Sequence, residues 1–233
     1  MADLSDFPIS RRWPAQHPDR IQLYSFPTPN GVKVSTALEE MALPYEAHKV
    51  TLADADVRSP EFLSVSPNNK IPAIIDPNGP DGQPLPLFES GAILIYLADK
   101  SGKFLGRNGA ERATIIQWLM WQMGGLGPMF GQLGHFYSGP GKSVQDPYPV
   151  QRFVDEARRL MGVFEKHMSD GRDWVAGDYS IADMAIAPWL RAPDFYGTTE
   201  LLAWDDHPHL KAYLDRFMAR PAVQVGLVTP PRD

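Results

Sequence analysis

Residues 66–91 read SPNNKIPAIIDPNGPDGQPLPLFESG, and this stretch decides the fold. The apolar run Ile71 to Asp76 predicts a β-strand, and Leu85 to Glu89 predicts a second one. Residues 78–82 between them are all turn formers, which predicts that the two strands form a hairpin. The apolar residues from Ser90 to Lys100 then predict a helix directly after the hairpin.

The segment upstream of this hairpin has the pattern of a β-α-β unit. Residues 21–26 alternate between apolar and polar and predict a strand, and residues 45–52 predict another. Residues 32–41, with Val34, Leu38 and Met41 on one face, predict a helix between the two strands, and residues 60–63 predict a short one. Two strands joined by a helix imply a parallel pair with a right-handed crossover. Residues 21–106 are therefore predicted to be an α/β domain with a mixed four-stranded sheet.

The segment downstream is predicted to be entirely helical. Helical periodicity is found at residues 110–123, 150–167, 181–191 and 209–220, with no strand pattern between them. The glycines of residues 124–128 predict a kink or break after the first of these helices. Because the β pattern is lost abruptly, a second, all-α domain is predicted over residues 111–233.

Residues 1–20 are polar and rich in proline, and they are predicted to be an extension outside the fold. A disordered tail is the favoured interpretation, and an arm that contacts a partner subunit is the alternative. The amino terminus is acidic and lacks the apolar segment of a secretory signal. With no apolar run long enough to span a bilayer, we expect a soluble, cytoplasmic protein that does not bind membranes.

Composition excludes several kinds of chemistry. The chain of 233 residues contains no cysteine, which excludes disulfides, thiolate metal sites and a cysteine nucleophile. Its formal charge of −6, without a basic cluster, argues against nucleic acid as a partner. His207 and His209 flank a proline and form no evident ligand cluster, so no metal site is predicted.

Three short motifs contain residues that could take part in binding or catalysis, and each also has a purely structural interpretation. Pro72 follows Ile71 at the start of a strand, where a trans bond is the common case and a cis bond the rarer one. Ser90 begins a helix, where it either only caps that helix or, together with Glu89, holds the α-amino-acid end of a ligand. Residues 28–31 either form an ordinary turn and cap or favour a thiolate at the helix amino terminus.

A fourth motif, Ser180-Ile181-Ala182-Asp183, has the pattern of a capping box. Its role is predicted to lie in folding and not in catalysis, because helix caps act locally.

In this order along the chain, the motifs resemble those of glutathione transferases. The matching segments are residues 28–31 (TPNG), 66–73 (SPNNKIPA) and 87–91 (LFESG), with residues 118–128 and 180–183 in the helical half. The resemblance covers about Ile21 to Ala222 and is closest to the bacterial Nu class, which is similar to the yeast prion-forming nitrogen regulator. It implies a thioredoxin-like domain followed by an all-α domain, in a homodimer with glutathione as cosubstrate.

The resemblance also implies roles for individual residues. Pro72 would be cis, so that the backbone of Ile71 binds the cysteinyl part of glutathione. Glu89 and Ser90 would hold the γ-glutamyl end of glutathione, and Lys70 would reach its glycyl carboxylate.

Further roles are implied around the sulfur and in the helical half. Thr28 and Asn30 would steady the sulfur, and Arg152 would contact glutathione. The structural alternative is that Arg152 only lies on a solvated helix face. Relatives of this class often carry a Gln and an Arg ahead of the short helix. Here Val57 stands in place of the Gln and Arg58 comes one position early, which puts these loop contacts in doubt.

The function implied is glutathione-dependent reduction of small disulfides, with two glutathione thiols per site. A chain without cysteine fits this, since both redox sulfurs come from the cosubstrate. Two alternatives stay open. One is a conventional transferase or peroxidase that acts on electrophiles or hydroperoxides, and the other is a glutathione-binding regulatory module without catalysis.

Overall fold

The computed structural model describes residues 4–232, which divide into two compact units. The first unit comprises residues 4–103 together with 221–232, and the second comprises residues 104–220. The predicted division at residues 106–111 is therefore close to the observed one. The prediction differs from the structure at the carboxyl terminus, because residues 221–232 belong with the first unit and not with the helical one.

The first unit contains a four-stranded mixed sheet, as predicted. Its elements are β1 (Ile21–Ser25), α1 (Pro29–Met41), β2 (Tyr45–Lys49), α2 (Asp54–Val57), α3 (Pro60–Leu63), β3 (Ala73–Asp76), β4 (Leu85–Phe88) and α4 (Ser90–Ser101). They follow the predicted order, except that the short helix α2 was not predicted. Strand β1 runs parallel to β2, as the helical connection between them requires, whereas β1–β3 and β3–β4 are antiparallel. The spatial order of the strands is β2-β1-β3-β4.

The prediction of residues 1–20 as an extension outside the fold is wrong for the described part, residues 4–20. Leu4 and Ile9 are buried in the hydrophobic core of the first unit, and Trp13 packs against that core. The indole Nε1 of Trp13 donates to the carbonyl of Lys49, 3.0 Å away, on edge strand β2. The few apolar residues of this polar segment are thus enough to anchor it, because they pack into the hydrophobic core and against a sheet edge.

The end of the chain also packs on the first unit. Helix α11 (Pro221–Gly226) lies against α1, and Ser35 Oγ donates to the Gly226 carbonyl at 2.6 Å. A Cβ atom at residue 226 would lie 2.7 Å from the backbone nitrogen of Thr36, so this close approach requires glycine. Beyond the helix, the Arg232 guanidinium donates to the carbonyl of Pro27, 3.0 Å away.

The second unit is helical, as predicted. A π-helical turn at Gln122–Leu126 joins α5 to α6, where the glycines predicted a break. The capping box of Ser180 and Asp183 is present at the start of α8. The helices are α5 (Gly109–Trp121), α6 (Gly127–Tyr137), α7 (Tyr148–Met168), α8 (Ile181–Leu190), α9 (Ala192–Tyr196) and α10 (Pro208–Met218).

Candidate functional site

Strand pairing in the first unit brings three of the sequence motifs to one end of the sheet. Ala73, the first residue of β3, lies opposite Tyr24 of β1 and Phe88 of β4, both in antiparallel register. The residues that follow β1 and β4 therefore meet the residues that precede β3. We call residues 28–31, 69–72 and 89–90 the three-motif cluster.

The first motif forms the amino terminus of α1. This helix begins three residues earlier than predicted, at Pro29, because Thr28 caps it and proline is well tolerated in a first helical turn. Thr28 Oγ1 accepts a hydrogen bond from the backbone nitrogen of Gly31 at 3.3 Å. A Cβ atom at residue 31 would lie 2.0 Å from the carbonyl oxygen of Phe26, so only glycine allows the helix to start this close to the strand exit.

The environment of this helix start suits an anion. Asn30 lies half-buried in the first turn of α1, and that turn carries no acidic residue. The positive end of the helix dipole favours negative charge at this position. A thiolate placed here would be stabilised relative to the thiol, which is one of the two interpretations of residues 28–31.

The second motif precedes β3. The Ile71–Pro72 peptide bond is cis, in agreement with the resemblance and not with the prediction from the tetrapeptide alone. Ile71 and Pro72 are buried, whereas the side chain of Lys70 is exposed. Ser66 Oγ donates to the Lys70 carbonyl at 2.8 Å and holds this turn in place. Lys70 is thus free to extend from a fixed backbone.

The third motif joins β4 to α4, and here the prediction that Ser90 is the N-cap is wrong. Glu89 is the N-cap, with φ 71° and ψ 109°, and its side chain makes no capping hydrogen bond. A glutamate in this backbone region costs about 1–3 kcal/mol, and such strain is concentrated at functional sites. Ser90 is the first residue of the helix and is buried, whereas Glu89 is exposed.

Lys33 is a residue of this region that the sequence analysis missed. Its side chain is fully buried in α1, and its Nζ atom lies 3.4 Å from Ser90 Oγ of the third motif. Burial lowers the pKa of Lys33 from 10.5 to about 7, although the nearby charge of Glu89 acts in the opposite direction. Its signal in the sequence is that it is the one charged residue between Gly31 and Leu38.

The remaining predicted residues lie elsewhere. Arg152 is exposed on α7 of the helical unit. The hydrogen bond from Arg159 holds the pKa of Glu156 below its ordinary value, and the charge of Arg152 contributes to this in a minor way. Val57 is buried in the core cluster of the first unit. Arg58, the residue after α2, is exposed, and its Nε atom lies 2.9 Å from the carboxylate of Asp54 at the start of that helix.

A separate cleft of about 690 Å³ lies within the helical unit, and its lining includes Arg191, Glu200 and Trp204. None of the predicted site residues lines it. Within residues 4–232, no group of three or more His, Asp or Glu side chains is arranged to hold a metal ion. Over the same residues, no helix has the length and apolar character needed to cross a membrane.

Comparison with known protein families gives two matches along the chain. Residues 20–99 match the family model for the glutathione S-transferase N-terminal domain. Residues 142–221 match the model for the glutathione S-transferase C-terminal domain.

Individual relatives are similar over nearly the whole chain. The disulfide-bond oxidoreductase YfcG of Escherichia coli is 45% identical over 210 residues, which cover 89% of this chain and 94% of YfcG. A glutathione transferase from Pseudomonas putida, solved with one glutathione disulfide bound per subunit, is 57% identical with a TM-score of 0.96, covering 98% of this chain and 99% of that one. A Burkholderia graminis glutathione transferase, solved with two glutathione molecules per subunit, is 58% identical with a TM-score of 0.96. The match covers 99% of this chain and 97% of that one.

Proposed function

The chain belongs to the glutathione S-transferase family, and from this premise we propose that it is a glutathione-dependent disulfide-bond oxidoreductase of the Nu class. Its substrates are small disulfides, and two glutathione molecules bind in each site. Glutathione is its cosubstrate and supplies both of the sulfur atoms that change oxidation state.

The three-motif cluster is the observation that carries this proposal. A helix amino terminus, a cis-proline turn and a strained glutamate converge at one end of the sheet. Together they offer a thiolate site and backbone hydrogen-bonding groups for a cysteinyl residue, and an ion-pairing carboxylate for a γ-glutamyl group. A helix cap or a turn alone would explain any one of the motifs, but not their convergence.

Each motif has a separate task in binding glutathione. Glu89 pairs with the ammonium of the γ-glutamyl end, and Ser90 binds its carboxylate at the amino terminus of α4. The backbone of Ile71 aligns the cysteinyl part, and Lys70 reaches the glycyl carboxylate. The sulfur then lies at the start of α1, beside Thr28 and Asn30.

Arg152, on the helical unit, is the proposed additional contact to glutathione. Arginine suits this task because its planar guanidinium binds a carboxylate through two parallel hydrogen bonds. Its exposure on α7 leaves the guanidinium accessible to a ligand.

Catalysis proceeds by two successive thiol–disulfide exchanges. The first glutathione thiolate attacks one sulfur of the substrate disulfide, which forms a mixed disulfide and releases a substrate thiolate. The second glutathione thiolate attacks the glutathione sulfur of that mixed disulfide, which forms glutathione disulfide and releases the second substrate thiolate. Two electrons pass from the two glutathione thiolates to the substrate, and the two protons lost by glutathione end on the substrate thiols.

Two observations favour this reaction over a mechanism that uses a protein thiol. The chain contains no cysteine, so a mixed disulfide between protein and glutathione cannot form. The two similar structures hold two glutathione molecules in one case and one glutathione disulfide in the other, which are the reduced and oxidised forms of the same pair. The protein's contribution is to lower the thiol pKa and to align the two sulfurs.

The test is turnover of hydroxyethyl disulfide with glutathione, coupled to NADPH oxidation through glutathione reductase, beside conjugation of glutathione to chlorodinitrobenzene. We expect strong disulfide turnover and little conjugation. Conjugation without disulfide turnover would instead indicate a conventional transferase. Glutathione binding without either activity would indicate a regulatory module, and both results contradict the proposal.

A homodimer and a cytoplasmic location are part of the same proposal. Sedimentation equilibrium of the purified protein tests the first, since a dimer has twice the 26.0 kDa of the chain. Fractionation of the source cells tests the second.

A further inference from the structure

The stretch between β2 and β3 contains the turn that is proposed to bind glutathione, although little regular structure holds it in place. We call residues 50–72 the connecting segment. Its helices α2 and α3 have four residues each, and helices this short are not stable without tertiary contacts. Because β2 runs parallel to β1, the segment leaves the sheet at the end where the three-motif cluster lies. The contacts that fix this segment therefore also fix one side of the site.

Residues 4–20, the amino-terminal segment, supply part of these contacts. Arg12 Nη1 donates to the carbonyl of Ala55 at 2.6 Å, and Arg12 Nη2 donates to the carboxylate of Asp56. The same carboxylate accepts hydrogen bonds from the backbone nitrogen of Thr51 at 2.9 Å and from its hydroxyl at 2.6 Å. Asp56 thus ties the start of the connecting segment to α2 and to Arg12. A guanidinium that donates to two acceptors fixes the orientation of α2 more firmly than a single point charge would.

Hydrophobic packing extends this support to α3. The ring of Trp13 lies edge-on to that of Phe62 in α3, with 6.4 Å between the ring centroids, and Phe62 is fully buried. Ile9 of the amino-terminal segment and Ile71 of the cis-proline turn belong to the same core cluster as Phe62. The amino-terminal segment therefore shares one hydrophobic cluster with α3 and with the turn.

Hydrogen bonds then connect α3 to the turn. The backbone nitrogen of Ser66 donates to the Phe62 carbonyl at 3.0 Å, and Ser66 Oγ donates to the Lys70 carbonyl at 2.8 Å. The backbone nitrogen of Asn69 donates to the Ser66 carbonyl at 2.9 Å. A displacement of α3 would consequently move the backbone of Lys70 and Ile71 with it.

We propose that Arg12 and Trp13 are positioning residues for glutathione, which hold the connecting segment so that Ile71 and Lys70 keep their binding geometry. This inference rests on the proposed function, because it assigns the cysteinyl part of glutathione to Ile71 and the glycyl carboxylate to Lys70. Neither Arg12 nor Trp13 touches the ligand. Without them, a smaller fraction of the molecules has the turn in its binding geometry, and the apparent affinity for glutathione falls by the same factor.

A purely structural role would give a different result from a positioning role. A structural role predicts that Arg12→Ala lowers the free energy of unfolding and leaves the kinetic constants unchanged. A positioning role predicts that KM for glutathione rises while kcat is retained. The reason is that the start of α1, where the sulfur reacts, makes no contact with the Arg12 side chain.

Steady-state kinetics with hydroxyethyl disulfide and varied glutathione separate the two roles. We expect Arg12→Ala to raise KM for glutathione about fivefold, which corresponds to a binding-competent fraction of about one fifth, and kcat to stay within about twofold. Arg11→Ala is the matched control, because Arg11 is also exposed and its side chain has no hydrogen bond or ion pair within residues 4–232. Its constants should equal those of the wild type. Trp13→Ala should raise KM further, and if that variant does not fold, the exposed Arg12 decides the question alone.

Native-state hydrogen exchange tests the route of the effect. In Arg12→Ala, the amides of Ser66 and Asn69 should exchange faster than in the wild type, whereas those of β1 should keep their wild-type rates. An unchanged KM would overturn the inference, and so would a raised KM with unchanged exchange in residues 50–72. A wild-type protein that binds no glutathione would overturn the proposed function instead.

Discussion

Replacement of Lys33 by methionine should make the protein more stable near neutral pH, although the residue contacts Ser90 of the three-motif cluster. The side chain is fully buried in α1, and burial lowers its pKa from 10.5 to about 7. The folded protein therefore releases the Lys33 proton at a lower pH than the unfolded chain does.

The sign of the effect follows from proton binding. Between pH 7 and 10.5 the unfolded chain holds a proton on Lys33 that the folded protein has largely lost. Stability therefore rises with pH across this window, and the cost of the buried charge is greatest below pH 7. A pKa difference from 10.5 to about 7 corresponds to about 5 kcal/mol at 1.36 kcal/mol per pH unit.

Urea unfolding between about pH 6.5 and 9.5 measures this cost as a difference between variants. The free energy of unfolding of the wild-type protein should approach that of Lys33→Met as pH rises, by about 1.4 kcal/mol per pH unit. Lys103 is exposed, so the free energy of unfolding of Lys103→Met should change with pH in the same way as that of the wild type.

Two results would refute this reasoning. A constant difference between wild type and Lys33→Met across the window would mean that Lys33 does not titrate there. A Lys33→Met protein that is less stable at every pH would mean that the fold compensates the ammonium fully.

Four further predictions concern other residues. Asn30→Ala should lower kcat for disulfide reduction about a hundredfold while KM for glutathione changes little, because the side-chain amide acts on the thiolate. Steady-state kinetics measure both constants, and an equal loss in glutathione binding would contradict this role of Asn30. Glu89→Gln should raise KM for glutathione up to about fivefold, as expected for an exposed ion pair, and no change would exclude the pairing with the ammonium. Asp183→Ala should lower the free energy of unfolding, measured by urea denaturation, by about 3 kcal/mol, because two buried backbone N–H groups lose their acceptor. A loss under about 1 kcal/mol would contradict this role of Asp183. Arg232→Ala should lower the free energy of unfolding by about 1 kcal/mol, since one hydrogen bond to Pro27 is lost, and an unchanged unfolding midpoint would show that this contact is dispensable.

The order of elements could be predicted from the sequence because each element carries its own periodicity. The hairpin of β3 and β4 is flanked by turn formers, and α1 has a clear apolar face. Helix boundaries were less accurate. The start of α1 depends on the side chain of Thr28 and on the tolerance for proline in a first turn, which periodicity does not report.

The packing of the two chain termini could not be predicted in the same way. Ile9 and Trp13 are isolated apolar residues in a polar segment, and no local pattern reveals that they pack with the hydrophobic core of the first unit. Helix α11 follows the six helices α5 to α10 of the second unit, yet the hydrogen bond between Ser35 and Gly226 binds it to the first unit. Both features depend on long-range contacts.

Only part of the candidate site could be predicted, because it too depends on long-range contacts. Thr28, Pro72 and Ser90 are far apart in sequence, and only the resemblance grouped them before strand pairing did so in space. Lys33 was missed because a lysine in an amphipathic helix is usually assigned to the solvated face. Its burial beside Ser90 is a property of the packing between α1 and α4.

The central claim is that the start of α1 stabilises a glutathione thiolate, and the pKa of bound glutathione tests it most directly. Ultraviolet absorbance of the thiolate, recorded against pH with the protein saturated, gives that value. The account predicts a thiol pKa at or below about 7, against about 8.5 for an ordinary thiol, and a return toward the ordinary value in Asn30→Ala. A bound thiol that titrates like free glutathione in both proteins would contradict it.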